Sequence, residues 1–465
     1  MLFEQLQNPF FVFLLLILLS VFTYVIKHTE YIPGFVFFLF ASLGAVLQLT
    51  NIGQIGLLRA ILLLVLFGVL FHKNLKKGVS LPIGGILLVL SYLLSVYVSG
   101  SINDIPFSSY RSEVGLLIMA IVVSVAPNKK ETLRILTIAI LLWGLINAFA
   151  IITAKLGIGW GKLVLFNNGG RAIGLSRHST FMGAYFSIAL VAAQILFLQA
   201  NLKITKVVMF ASGMLIMLGL LATIARGAFI GWLAAFLFVQ YRIQGMKVSS
   251  IVGVFLIAIM AISVASLLGL DQLLLDRFTG IEKDTSAQAR IPLLLSSLNT
   301  FSKNPVFGTG IGWEDVKLQL ESHNMIIQVL VEEGLIGFIL FMFILWKAGW
   351  SLLVRSNAGK AVNIMSAPID APKPEEVSSK RLSSGVILKR SQRSVLTNND
   401  GVETAGVDLS RESELLQKTK TDLVVYYTGL VAMLGAILLN SLTHSFDFFM
   451  PLWMLIGVGF MRTSK

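Results

Sequence analysis

An all-α, polytopic transmembrane helix bundle is the fold class this sequence predicts, and three observations predict it. Of its 465 residues, 56% are apolar and only 13% are charged, about half the charged share of soluble domains and too little to solvate a chain of this length. Apolar runs close to the roughly 20 residues that cross about 30 Å of hydrocarbon recur along the chain. Lys and Arg gather in alternate gaps between those runs, the pattern left by basic loops retained in the cytoplasm.

Thirteen candidate spans lie at about residues 10–26, 32–50, 55–71, 81–99, 114–126, 135–153, 180–198, 207–225, 227–241, 250–268, 325–346, 423–440 and 449–461. The short ones at 114–126, 227–241 and 449–461 make the count 12 or 13. The first span is expected to stay in the mature chain: Met1 to Pro9 carry Glu4 and no Lys or Arg, and no small-x-small cleavage site follows. The absence of cysteine excludes a disulfide framework, a thiolate metal site and a cysteine nucleophile. No repeat of 20 to 50 residues is visible, nor the matched broken helices that mark many transporters.

Sorting the gaps by side gives 25 basic against 11 acidic residues on one side and 11 against 11 on the other. The basic side is expected inside, so the N-terminus is outside and the C-terminus inside. The net charge of +13 is therefore a signal of topology and implies no nucleic-acid partner. Four regions follow: N-terminal spans over 1–153, a core over 154–346 with an extracytoplasmic loop at 269–322, a basic cytoplasmic loop at 347–421, and C-terminal spans over 422–465. The outer loop mixes short apolar runs with Gly, Pro and charges, and is expected to fold before the His-Asn pair. The inner loop is rich in Ser, Lys, Arg and Asn and has the composition of a disordered linker, with residues 385–396 open to a membrane-surface or partner contact.

Where charges are so sparse, those at span ends are candidates for function, because holding one in lipid costs about 2.5 to 3.5 kcal/mol. Arg226 interrupts an apolar run within Ala225-Arg-Gly-Ala228, Arg171 lies in Gly169-Gly-Arg-Ala-Ile-Gly174, and Arg290 in Ala287-Gln-Ala-Arg-Ile-Pro292. A guanidinium keeps its proton and offers a planar fork that matches phosphate oxygens; the plainer reading is a solvated arginine or a headgroup contact. Lys303-Asn-Pro-Val-Phe-Gly-Thr-Gly-Ile-Gly-Trp313 carries Gly308, Gly310 and Gly312, which let backbone turn or approach a ligand. His323 and Asn324 stand at the mouth of the next span, where an imidazole can take a proton from a hydroxyl or serve as a polar anchor. Glu332 and Glu333 lie roughly 15 Å deeper and are expected to face a polar interior or an arginine. No histidine pair has the spacing of a helical zinc site, so neither metal nor other cofactor is expected.

The order of Arg-Ala-Ile-Gly, Ala-Arg-Gly-Ala, Ala-Arg-Ile, Pro-Val-Phe-Gly-Thr-Gly, Ser-His-Asn and Glu-Glu-Gly-Leu-Ile-Gly resembles the bacterial O-antigen ligase and Wzy-type polysaccharide polymerase superfamily, over about Asn168 to Trp346. The resemblance implies a metal-independent glycosyltransferase of the bacterial inner membrane. It would act on the extracytoplasmic face, taking glycan from an undecaprenyl-diphosphate donor to a glycan or lipid acceptor. It further implies that Arg171, Arg226 and Arg290 hold the donor diphosphate, that His323 acts as general base or orients the acceptor hydroxyl, and that Asn324 and Glu333 support it beside Gly308 and Gly310. Thirteen spans and the long basic insertion depart from the family pattern, which commonly has about twelve spans with both ends inside.

Two other classes stand beside this one. A transporter or flippase for lipid-linked glycan would place charges along a mid-bilayer path, whereas here they gather in outer loops beside a candidate base. A scaffold that recruits a cytoplasmic partner through 347–421 would account for the insertion and leave the His323 region unexplained.

Overall fold

The computed structural model describes residues 24–25, 28–39, 41, 82–105, 111–158, 165–166, 170–176, 178–245, 285–310, 324–365, 409–441 and 450–461, with single positions between 252 and 266. At 111–113, 165–166, 285–291, 358–365, 409–418 and 420 the description covers the backbone alone. The spans expected at 55–71, almost all of 10–26 and 250–268, and the second half of 32–50 lie outside the described residues.

Ten helices of more than ten residues follow from residue 83 onward among the described residues: α1 Ile83–Ile102, α2 Arg111–Val125, α3 Lys130–Lys155, α4 Ser179–Gln199, α5 Lys203–Thr223, α6 Arg226–Gln244, α7 Thr285–Lys303, α8 Met325–Met365, α9 Leu409–Ser441 and α10 Met450–Phe460. Earlier, Thr29–Leu39 forms a short apolar helix. Six stretches are long and apolar enough to cross a membrane: α1, α3, α4, α5, Met325–Asn357 of α8 and Thr421–Ser441 of α9. Each expected span from 81–99 to 227–241, and each from 325–346 onward, coincides with a helix. Polar and glycine residues end them where a helix must end: His178 Nδ1 caps α4 by accepting from Thr180 N, and Gly245 at φ 74° closes α6.

Three features go beyond the sequence expectation. A short antiparallel hairpin, β1 Leu165–Phe166 and β2 Ala172–Gly174, joins α3 to α4. Within the outer loop, 285–303 is helical and runs through Pro292. Helix α8 continues to Met365 and α9 begins at Leu409, so the basic insertion is flanked by helix, and 366–408 lies outside the described residues.

Close helix contacts are made at small residues, as in lipid, where packing rather than water drives association. A Cβ on Gly231 of α6 would lie 2.7 Å from the Ala436 carbonyl oxygen of α9, and one on Gly459 of α10 would lie 2.8 Å from Ala348 of α8. Helix α4 is the hub: it packs on α3, α5, α6 and α9, while α8 packs on α1, α9 and α10.

The contacts sort the helix ends into two sets. At one end Lys130 pairs with Asp422, Gln199 Nε2 donates to Asp422 O (3.1 Å), Tyr427 to Asn128, Arg242 to Ser356 Oγ (3.2 Å) and Arg355 to Met461 O. At the other end Arg171 meets Thr223 and Asn103 meets Gly308. Successive helices from α1 to α6 therefore alternate in direction. The first end carries Lys129, Lys130, Lys203, Lys206, Arg242 and Arg355; we call it the basic end.

Candidate functional site

A regular helix would bond Leu335 N to Val331 O and Ile336 N to Glu332 O. In α8 these two rungs are missing, because Gly334 turns to φ 67°, ψ −171° and breaks the helix inside its span. Lone carbonyls and amides at that depth are costly, and the loop after α7 supplies their partners. Val331 O accepts from Thr309 N (2.9 Å) and Glu332 O from Gly310 N (2.7 Å), while Leu335 N donates to Pro305 O (2.9 Å) and Ile336 N to Val306 O (3.3 Å). The Pro305-Val-Phe-Gly-Thr-Gly310 segment thus replaces two helical rungs with four bonds of its own.

This exchange needs glycine on both sides. Gly308 has φ 73°, and a Cβ there would lie 2.5 Å from the Glu332 carbonyl; Gly310 has φ 83°, and a Cβ there would meet Ile105 at 2.3 Å. Gly308 and Gly310, read from sequence as substrate-binding, are occupied here in docking the loop onto α8.

Helix α1 holds the break from the other side. Ser99 Oγ donates to Glu332 O (2.7 Å), and Asn103 Nδ2 donates to its own helix at Ser99 O and to Gly308 O (3.0 Å). Tyr92 Oη donates to Glu333 Oε1 at 2.5 Å, and its ring packs with Phe341 and Trp453 at centroid separations of 5.7 and 5.6 Å. Glu332 and Glu333 are both buried, as a polar interior requires. Glu332 Oε2 accepts from Gln328 Nε2 (3.3 Å), and the Glu333 carboxylate lies over Gly337, where a Cβ would come within 2.7 Å of Oε2. These hydrogen bonds are with a phenol and an amide, where sequence left open a polar interior or an arginine.

Asn324 is the N-cap of α8: its Oδ1 accepts from Ile326 N (3.0 Å) and Ile327 N (3.3 Å). Its oxygen is thereby committed to the helix. His323 lies outside the described residues, immediately before this cap.

The arginines divide. Arg171 precedes β2, and its Nε donates to Thr223 O (3.1 Å), the last residue of α5, where a cation satisfies an orphan carbonyl and suits the helix dipole. Arg226 opens α6 three residues later. A cation at a helix start stands beside amides that already make that end positive, so the dipole does not offset its charge and an anion is its favourable neighbour. Between them Ile224 takes a left-handed conformation, φ 54° and ψ 32°, rare for a β-branched residue. The turn is held by close packing: a Cβ on Gly183 of α4 would lie 2.7 Å from Ala225 and 2.9 Å from Ala228. Arg290 falls within helix α7, where the description covers its backbone alone.

Arg171, Arg226, Asn324, Gly308 and Gly310 therefore stand at one end of the bundle, opposite the basic end, with Glu333 buried beneath the loop. They form two groups, Arg171 and Arg226 about the turn between α5 and α6, and Gly308, Gly310, Asn324 and Glu333 on α8 and the loop after α7; α9 packs against both α6 and α8. The α1 residues escaped attention in the sequence, although Tyr92, Ser95, Ser99 and Asn103 form a polar stripe at helical spacing along an otherwise apolar span.

Residues 210–342 match the family model described as O-antigen ligase. The match takes in Arg226, Arg290, Gly308, Gly310, His323, Asn324 and Glu333, and leaves α1 and Arg171 outside it. No curated protein matches the chain.

Proposed function

We propose that this multi-pass membrane protein, whose residues 210–342 carry the O-antigen ligase match, transfers oligosaccharide from undecaprenyl diphosphate to an acceptor hydroxyl on the extracytoplasmic face. The observation that carries the reading is the convergence of Arg171 and Arg226 on the single turn between α5 and α6, at the same end as the Asn324 cap beside His323. The basic end then faces the cytoplasm and the arginine end faces outward.

The acceptor oxygen forms a bond to the anomeric carbon as the bond from that carbon to the diphosphate breaks, and the electron pair leaves with the carrier diphosphate. Arg171, Arg226 and Arg290 offset the charge that grows on the leaving group, a term worth most where water is excluded. His323 takes the acceptor's proton, a contribution of about 10² to 10⁴ in rate. Asn324 caps the helix that begins two residues after His323 in the sequence. Tyr92 holds Glu333 beside the break in α8. A polymerase would take a second carrier-linked repeat as acceptor, and a ligase a lipid or protein hydroxyl.

Purified protein supplied with undecaprenyl-diphosphate oligosaccharide in detergent should release carrier diphosphate and yield longer or transferred glycan. His323→Ala and Arg226→Ala should each abolish most of that turnover. Full activity in both variants would sink the site assignment, and movement of glycan across a vesicle without bond cleavage would favour transport instead.

A further inference from the structure

Helices α5 and α6 leave a common turn at residues 224–225 and then diverge. Helix α5 leans on α3 and α4, α6 on α4 and α9, and the two make little contact with each other. Between them, over α4, lies a groove of about 460 Å³ that extends to Gln244, lined among others by Phe197, Gly213, Met214, Trp232 and Phe236. Its volume is that of a small-molecule site, and its walls are apolar apart from Gln194, Gln240 and Gln244.

Three observations say what suits it. The outer face of α5 beside the groove, Ile204, Val207, Val208 and Phe210, is exposed and apolar, the surface of a helix that faces acyl chains. The exposed Lys203 and Lys206 stand at the basic end of α5, and the Lys206 ammonium lies 5.8 Å from the ring centre of Phe197, a groove residue. On the α4 and α6 wall Gln194 Nε2 donates to Gln240 Oε1 (3.4 Å) and Gln240 Nε2 to Gln244 Oε1 (2.6 Å), a polar ladder that leads from the apolar interior to that mouth.

We propose that this groove binds one anionic phospholipid of the leaflet at the basic end, with acyl chain between α5 and α6 and phosphate at Lys203 and Lys206. Lysines near a membrane surface attract anionic headgroups, the amides at the start of α5 add to that attraction, and long lysine stems reach the interface while their methylenes stay in lipid. The site lies at the opposite end of the bundle from Arg171 and Arg226, so it does not depend on the glycan-transfer reading.

The test uses the full chain in mild detergent with phosphatidylglycerol or phosphatidylcholine, read by native mass spectrometry. One phosphatidylglycerol should be retained per chain, with a preference of about tenfold over phosphatidylcholine. Lys203→Glu with Lys206→Glu should erase the preference. Gly213→Phe should remove the retained lipid, since among the described residues a Cβ at Gly213 touches only Ala193, at 3.9 Å, and a larger ring has the groove to fill. A second reading needs no large side chain: bimane on Gly213→Cys, in this cysteine-free chain, should be quenched by stoichiometric brominated phosphatidylglycerol, and bimane on Leu87→Cys should not. No retained lipid in the native chain, equal retention of both lipids, or equal quenching at the two positions would overturn the proposal. So would a cross-link from Gly213→Cys to residues 250–268 without bound lipid, which would make the chain itself the occupant.

Discussion

Gly308 and Gly334 meet backbone to backbone: a Cβ on either would lie 2.4 Å from the other's amide nitrogen. Both have positive φ, 73° and 67°. Alanine in that conformation costs about 1 to 3 kcal/mol in strain alone, and the overlap with fixed backbone adds to it. Gly308→Ala and Gly334→Ala should each lose more than about 3 kcal/mol, read as a lower melting temperature in detergent and a smaller monodisperse fraction. Gly435→Ala, with no described residue within 4 Å of its Cβ, should lower neither measure and serves as the control.

The hydrogen bond from Tyr92 to Glu333 joins a helix outside the family match to the glutamate within it. Tyr92→Phe keeps the ring against Phe341 and Trp453 and removes one donor from a buried carboxylate, a loss of about 1 to 3 kcal/mol. Stability should fall by that amount in Tyr92→Phe and by less when Glu333→Gln is already present. A double-mutant cycle of melting temperatures should therefore give a coupling of about 0.5 to 3 kcal/mol. Additive losses would show that the two side chains do not act together.

The helices were legible in the sequence because each span is a run of apolar residues whose length the bilayer sets. Arg226 was legible at a helix start because a charge inside an apolar run has to mark a turn. The break at Gly334 was not, since Glu332-Glu-Gly-Leu-Ile-Gly337 reads as a continuous helix with a tolerated glycine. What breaks it is the arrival of Thr309 and Gly310 at carbonyls some twenty residues away, a tertiary event with no local signature. Tyr92 and Asn103 do carry a local mark, the polar stripe on α1, but what the stripe meets lies more than 200 residues along the chain. Gly308 and Gly310 were read as glycines that let backbone turn or approach a ligand; both turn at positive φ, and what Gly308 approaches in the structure is the backbone of α8.

Arg226→Lys and Arg226→Ala separate charge from geometry in the proposed leaving-group site. A lysine keeps the charge at the start of α6 and loses the planar fork. Turnover should fall by about 10² to 10³ in the alanine variant, as when one stabilising donor is removed from a transition state, and by clearly less in the lysine variant. If the arginine acts on the departing diphosphate, kcat should carry the loss and KM should change little. A loss confined to KM would assign Arg226 to ground-state binding instead.

Sidedness is tested on the same cysteine-free chain. Lys155 ends α3 at the arginine end and Lys203 opens α5 at the basic end, and both are exposed. With basic residues held in the cytoplasm, a membrane-impermeant maleimide added to intact cells should label Lys155→Cys, and should label Lys203→Cys only after the membrane is opened. Activity of each variant verifies the fold before labelling. Labelling of Lys203→Cys from outside would turn the bundle over. The arginine turn would then face the cytoplasm, and transfer on the extracytoplasmic face would fail, while the lipid groove would stay in the leaflet at the basic end, now the outer one.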